Sequence, residues 1–241
     1  MSKRANYGID APGVVRTLAM IGFAAAAIAA IGFARPNILP ASLRDSAAYT
    51  ATALLFILAA MLWSSLVGKK QVRDRLIAAL ALSGSEHVLD AGCGRGLALI
   101  GCAKRLTTGR AVGIDLWAAK DLSNNNPESA RANAIAEGVA DRVEIQTGDI
   151  TKLPFPDASF DAVITMTVIH NIPSRDARDV AVRELARVLK PGGRLALFDI
   201  LHTSRYAQIL RQSGMNVRSL GHAFLWLAPS RCLFAQKPGN S

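Results

Sequence analysis

Asp90-Ala91-Gly92-Cys93-Gly94-Arg95-Gly96 puts an acid and three glycines within seven residues, directly after the apolar run His87 to Asp90. At such a strand-to-helix turn, bare backbone N–H groups can meet a ligand's polar groups. The dinucleotide fingerprint wants its third glycine one position later, where Leu97 stands, so the loop argues for a smaller nucleoside ligand. Asp115 ends the next apolar run and is placed to accept both hydroxyls of a ribose. Asp149 follows the third run and can take an exocyclic amine. Three cysteines (Cys93, Cys102, Cys232) with no Cys-x-x-Cys and no His/Cys cluster give neither a disulfide framework nor a metal site.

The elements that must hold these residues are short apolar runs alternating with helical patterns. His87 to Asp90, Ala111 to Asp115, Arg142 to Gln146, Phe160 to Thr165 and Arg194 to Asp199 read as strands of a buried parallel sheet. Leu97 to Leu106, Pro127 to Glu137 and Arg175 to Leu189 read as helices between them, with Lys190-Pro191-Gly192-Gly193 as a stop and turn. Strand and helix in steady alternation imply right-handed crossovers and a doubly wound α/β sheet.

Taken in order, Asp90-x-Gly92-x-Gly94-x-Gly96, Asp115, Gly148-Asp149, Leu153-Pro154-Phe155-Pro156-Asp157 with Ser159-Phe160-Asp161, and Arg187 to Gly193 resemble the class I S-adenosylmethionine-dependent methyltransferases. The resemblance covers about Leu76 to Pro238. It implies a Rossmann-like seven-stranded sheet in the order 3-2-1-4-5-7-6, the last strand antiparallel, and S-adenosylmethionine as cofactor. Asp90 and the loop Gly92, Cys93, Gly94 and Gly96 would hold the methionine end, Asp115 the ribose, and Leu116, Asp149 and Ile150 the adenine. Thr165 and Met166 would floor the site near the sulfonium methyl. Cys93 is then a small loop filler, because methyl transfer needs no covalent intermediate. His170, with Asn171 beside it, stands where the acceptor approaches, as a catalytic or substrate-binding group or as a structural hydrogen bond. His202, after Asp199, is a further substrate-binding candidate.

The first 68 residues have a different composition. They hold five basic and two acidic residues, and 18 uncharged residues run from Thr17 to Ala34 and 23 from Ser46 to Gly68. As helices these are about 27 and 34 Å long, enough for a hydrocarbon core of about 30 Å. Residues 1–68 therefore read as a membrane anchor of two transmembrane helices, with 69–241 as the methyltransferase domain. Gly22, Ala26 and Ala30 give the first span a small-residue face. A signal peptide is the alternative for that span, yet secretory apolar cores run about 7 to 15 residues. Lys3, Arg4 and Arg16 before it, and Lys69, Lys70, Arg73 and Arg75 after the second, outweigh Arg35 and Arg44 between them, which places both termini in the cytoplasm.

Little chain is left to form a lid, so the pocket is expected to be closed by the membrane or the hairpin. The expected acceptor is apolar or membrane-resident: a lipid, a quinone or similar. A protein or small soluble acceptor, with the hairpin only as an address, is the alternative, and a donor-binding module without turnover is another. From Ile200 onward there are five bases and no acids, together with the apolar run Ala223 to Ala228. This reads as a buried hairpin with a solvated basic face, or as a surface on the anionic headgroups of a bilayer. A nucleic-acid patch is weakened by the tether and by the lack of an RNA-binding motif.

Overall fold

The computed structural model describes residues 5–118, 121–225 and 228–239. Lys3, Arg4, Trp226 and Leu227, which the sequence reading used, lie outside them. Pro12 opens α1 (Pro12–Ala34), where its missing N–H costs no helical bond. After a short turn, α2 (Ala41–Trp63), a π-turn (Ser64–Gly68) and α3 (Lys69–Leu80) form one rod of 40 residues. At 1.5 Å per residue it is about 60 Å long, twice the core thickness of a bilayer, so its second half belongs to the domain. Both α1 and the Ala41–Leu80 rod are long and apolar enough to cross a membrane.

The seam between α1 and α2 buries Gly22, Ala25, Ala29 and Gly32, while Ala30 is exposed and Ala26 only half-buried. This corrects the expected face of Gly22, Ala26 and Ala30: a strict step of four turns about 40° off the seam each time, whereas alternating three and four follows it. A Cβ on Gly32 would stand 2.9 Å from Arg44, so the helices approach as closely as glycine permits. Met20, Phe23, Phe33, Tyr49 and Phe56 cover the outer faces and are exposed.

The rest of the chain winds a seven-stranded sheet. Its elements are β1 (His87–Ala91), α4 (Leu97–Ala103), β2 (Arg110–Asp115), α5 (Pro127–Ala136), β3 (Val143–Thr147), β4 (Phe160–Met166), α6 (Arg175–Arg187), β5 (Leu189–Phe198), α7 (Thr203–Gln212), β6 (Asn216–Leu225) and β7 (Ala228–Gln236). The strand order is β3-β2-β1-β4-β5-β7-β6, with β7 antiparallel to both neighbours. Asn126 caps α5, accepting from Ser129 N at 2.7 Å, and Ser174 caps α6. One face of the sheet packs Leu89, Ile114, Val163 and Leu197 with Val182 and Leu185 of α6 and Ile209 and Leu210 of α7. The other packs Val88 and Ile164 with Leu76, Leu80 and Leu99.

Lys190 to Gly193 is not the turn expected before β5. The strand already starts at Leu189, and the extra residues form an irregularity against Phe160 to Ala162. Gly192, at φ 77°, takes the left-handed backbone that this bulge needs. At the hairpin end, Leu225 abuts the π-turn: a Cβ on Gly68 would lie 2.6 Å from its Cδ2.

Candidate functional site

The first βα turn and the loops after β2, β3 and β4 open on one cavity of about 440 Å³, within the range of small-molecule pockets. Asp90, Gly92, Cys93, Gly94, Asp115, Leu116, Asp149, Ile150, Met166 and Asn171 line it. Gly96, Thr165, His170 and His202 do not. Gly96, at φ 83°, serves as the N-cap of α4. Thr165 is buried and donates its Oγ1 to Ala91 O at 2.8 Å, tying β4 to β1 from behind the cavity.

Each acid is held differently. Asp115 reaches across the turn, its Oδ2 accepting from Gly94 N at 2.8 Å and its Oδ1 from Trp117 N at 2.6 Å, so a residue of the cavity wall also shapes the glycine loop. Asp90 is buried and accepts from Leu99 N at 2.7 Å; burial, opposed by that bond and helped by the charge of Asp115, pushes its pKa up to about 7. Asp149 is exposed and accepts from Thr151 N at 2.8 Å. Cys93 is buried and its thiol pKa is raised by burial, which disfavours the nucleophilic thiolate. At Gly92 a Cβ would lie 2.3 Å from Val168, so only glycine lets the loop pass there.

One wall of the cavity is built by the segment before α1. Asn6 is gripped by Asn133, which accepts from its N–H and donates to its carbonyl, both at 2.9 Å. Ile9 and Ser123 exchange two hydrogen bonds. Lys69, 4% exposed, donates its three protons to Tyr7 O (3.0 Å), Gly8 O (2.9 Å) and Asp10 Oδ1 (3.2 Å). Ser65 of the π-turn bonds both Asp10 N and Asp10 Oδ2. Tyr7, Asp10 and Lys69 thereby become cavity wall. Burial pushes the Lys69 pKa down and Asp10 partly restores it.

Sequence reading missed this strap, along with Arg95 and Asn125. Arg95 is 8% exposed, and its Nε and the Asn125 Oδ1 are buried in the cavity wall without a partner. A basic residue inside a glycine loop was the one signal for Arg95.

At the opposite end the walls are Met166, Val168, Ile172, Pro173 and Ala177, largely apolar. Directly behind lies His170, in the 3₁₀ turn Ile169–Asn171. Its Nδ1 is paired with Asp199 Oδ1, and its backbone N–H donates to Asp199 Oδ2 at 3.0 Å. A carboxylate on Nδ1 fixes the proton there and leaves Nε2 as the accepting nitrogen. Asp199 is 1% exposed and also accepts from Ile200 N. His202 is exposed on a left-handed backbone at φ 62° and faces a second, smaller cavity. Among the described residues no group of His, Cys, Asp or Glu could hold a metal ion.

Residues 89–197 match a family model described as a methyltransferase domain. The matched stretch runs from β1 into β5 and is just under half of the chain. The chain is 38% identical over 131 residues to a 27-O-demethylrifamycin SV methyltransferase of Amycolatopsis mediterranei, covering 54% of this chain and 44% of that one. It is 34% identical over 128 residues to a demethylmenaquinone methyltransferase of Lactiplantibacillus plantarum, covering 53% and 50%. The match thus spans about half the length of these relatives. The fold is shared with the magnesium protoporphyrin IX methyltransferase of Synechocystis, solved with bound S-adenosylmethionine, at a TM-score of 0.60 and 22% identity over 76% of this chain and 84% of that one. The matched stretch begins within β1, so the α1–α2 hairpin and its strap lie outside it.

The motif Leu153 to Asp157 proves to be a structural clamp. Arg187 donates to Leu153 O, Phe155 O and Asp157 while pairing with Glu184, and these partners raise its pKa. Of the five C-terminal bases, Arg205 pairs with Asp179, Arg218 stacks on Phe234 and Lys237 donates to Ala186 O and Leu189 O.

Proposed function

We propose that this chain is a membrane-anchored, S-adenosylmethionine-dependent methyltransferase acting on an apolar or membrane-resident acceptor such as a lipid or quinone. Residues 1–68 anchor it by two spans, and the domain 69–241 faces the cytoplasm with both termini. One observation carries the reading: the wall of the glycine-loop cavity is completed by the strap that leads into α1 and by Lys69 at the foot of the second span, so donor site and span bases are one structure.

The residues present suit the donor. The Gly92 cradle has no room for a Cβ, and the unpartnered Asn125 Oδ1 and Arg95 Nε offer polar groups to a polar ligand. Asp90 with the loop Gly92 to Gly96 would hold the amino-acid end, Asp115 the ribose, and Leu116, Asp149 and Ile150 the adenine. When bound, S-adenosylmethionine supplies an electrophilic methyl on a sulfonium. The chain's own work is to hold the acceptor in line with that methyl and to exclude water, which the strap and the apolar end do. His170, directly behind the apolar wall with its ring oriented by Asp199, is the base proposed for an acceptor hydroxyl or acidic carbon that reaches past that wall. Calorimetry with S-adenosylmethionine on the full chain in detergent tests the donor assignment. One saturable site is expected, abolished by Gly94→Val; no binding by the unaltered protein would overturn it.

A further inference from the structure

A second cavity, of about 250 Å³, lies where the N-terminal turns of α6 and α7 meet, lined by Arg175, Arg178, Asp179, His202, Arg205 and Tyr206. Two helix N-termini bring two positive dipole ends to one place, and α7 has no side-chain cap and no acid in its first turn. Three guanidinium groups and an imidazole face one acid, and that acid is spent: Asp179 accepts from Arg205 Nε at 3.2 Å and Nη2 at 2.6 Å. Asp176, in the first turn of α6, is the other acid that acts on Arg205.

The decisive group is Tyr206. It is fully buried, it is one of the residues around the cavity, and its hydroxyl has no hydrogen-bond partner. A buried unpaired hydroxyl is a standing cost to the fold unless something comes to it.

We infer that this cavity binds a phosphate-class oxyanion carried by the methyl acceptor. A carboxylate is served by two donors, whereas Arg175, Arg178, His202 and the Tyr206 hydroxyl offer donors from several sides, as a tetrahedral oxyanion with three free oxygens requires. The position fits an acceptor group. Arg178 Nη1 donates to Ile172 O (2.7 Å) and Pro173 O (3.0 Å), the residues that wall the apolar end of the donor cavity. The Asp199 that orients His170 is close enough to Tyr206 for its charge to help burial raise the phenol's pKa. An acceptor with its apolar part in the first cavity could place its phosphate in the second, past Ile172 and Pro173. Only the link to the acceptor rests on the methyltransferase reading; the anion site itself does not.

The test is calorimetric titration of the full chain in non-ionic detergent with inorganic pyrophosphate, donor absent. Saturable binding below about 1 mM is expected. It should weaken about tenfold or more in Arg175→Ala and in Tyr206→Phe, each losing one charge-assisted bond, and stay unchanged in Arg231→Ala, an exposed base elsewhere. Tyr206→Phe should melt no lower than the unaltered protein, since it removes an unpaired hydroxyl. Absence of saturable binding, or equal binding by all three variants, would overturn the inference. So would displacement of pyrophosphate by acetate as readily as by phosphate. Tighter displacement by phosphatidate in micelles than by glycerol phosphate assigns the site to a lipid headgroup, and equal displacement to a soluble phosphate ester. Because no donor is present, a protein that binds pyrophosphate but not S-adenosylmethionine would sink the methyltransferase reading and leave this one standing.

Discussion

Asp115 and Asp90 are both carboxylates at strand ends, yet their surroundings give them opposite characters. Asp115 bonds two backbone N–H groups and faces the cavity, so Asp115→Ala should lower donor affinity by about 30-fold or more and reduce the melting temperature of the empty protein, by calorimetry and thermal denaturation. Asp90 has its folded pKa raised to about 7 from 3.8, so the folded state holds an extra proton between those values. Stability from this group is therefore present below about pH 4 and lost as pH rises through 7. Asp90→Asn should raise the melting temperature of the ligand-free protein at pH 8, with the gain vanishing toward pH 4; an equal effect at both would contradict the assignment. His170→Ala should lower kcat about 100-fold or more with donor affinity retained. Asp199→Asn should follow it, because the amide can no longer fix the Nδ1 proton. Asp115 and the glycine loop were legible because type and spacing suffice there. The His170 to Asp199 pairing was not, since it joins residues 29 positions apart through the ends of two strands.

The strap and the 40-residue rod are where sequence reading stops. Strands β1, β2 and β4 stand out as apolar runs, within a residue or so of their observed ends, because a buried parallel strand needs no polar face. Nothing in Asn6 to Asp10 announces a lid: its partners Asn133 and Glu137 lie about 130 positions away, and polar residues before a span look like a simple flank. Lys69 and Lys70 read alike as charges marking the membrane exit, but only Lys70 is exposed. Lys69→Met should leave three acceptors unfilled around the strap. The expected outcome is donor release at least about tenfold faster by stopped flow, with faster hydrogen exchange at residues 6–10. Unchanged release would mean that the strap does not close the site.

At the scale of the molecule, the hairpin and the domain meet at the π-turn, where Ser65 holds Asp10 and Gly68 receives Leu225. The outer faces of α1 and α2 carry large exposed apolar side chains, which the proposed membrane setting would cover. Cysteine labelling in intact cells should therefore find the turn near Asn37 accessible from outside and both termini only after permeabilisation; the reverse pattern would end the proposed topology. The most direct measurement for the whole account is incubation of the full chain, reconstituted in vesicles of a total lipid extract, with S-adenosylmethionine labelled in its methyl group. Label entering a lipid or quinone fraction, and lost with His170→Ala, is the result predicted; label confined to water-soluble material, or none at all, would contradict a membrane-resident acceptor.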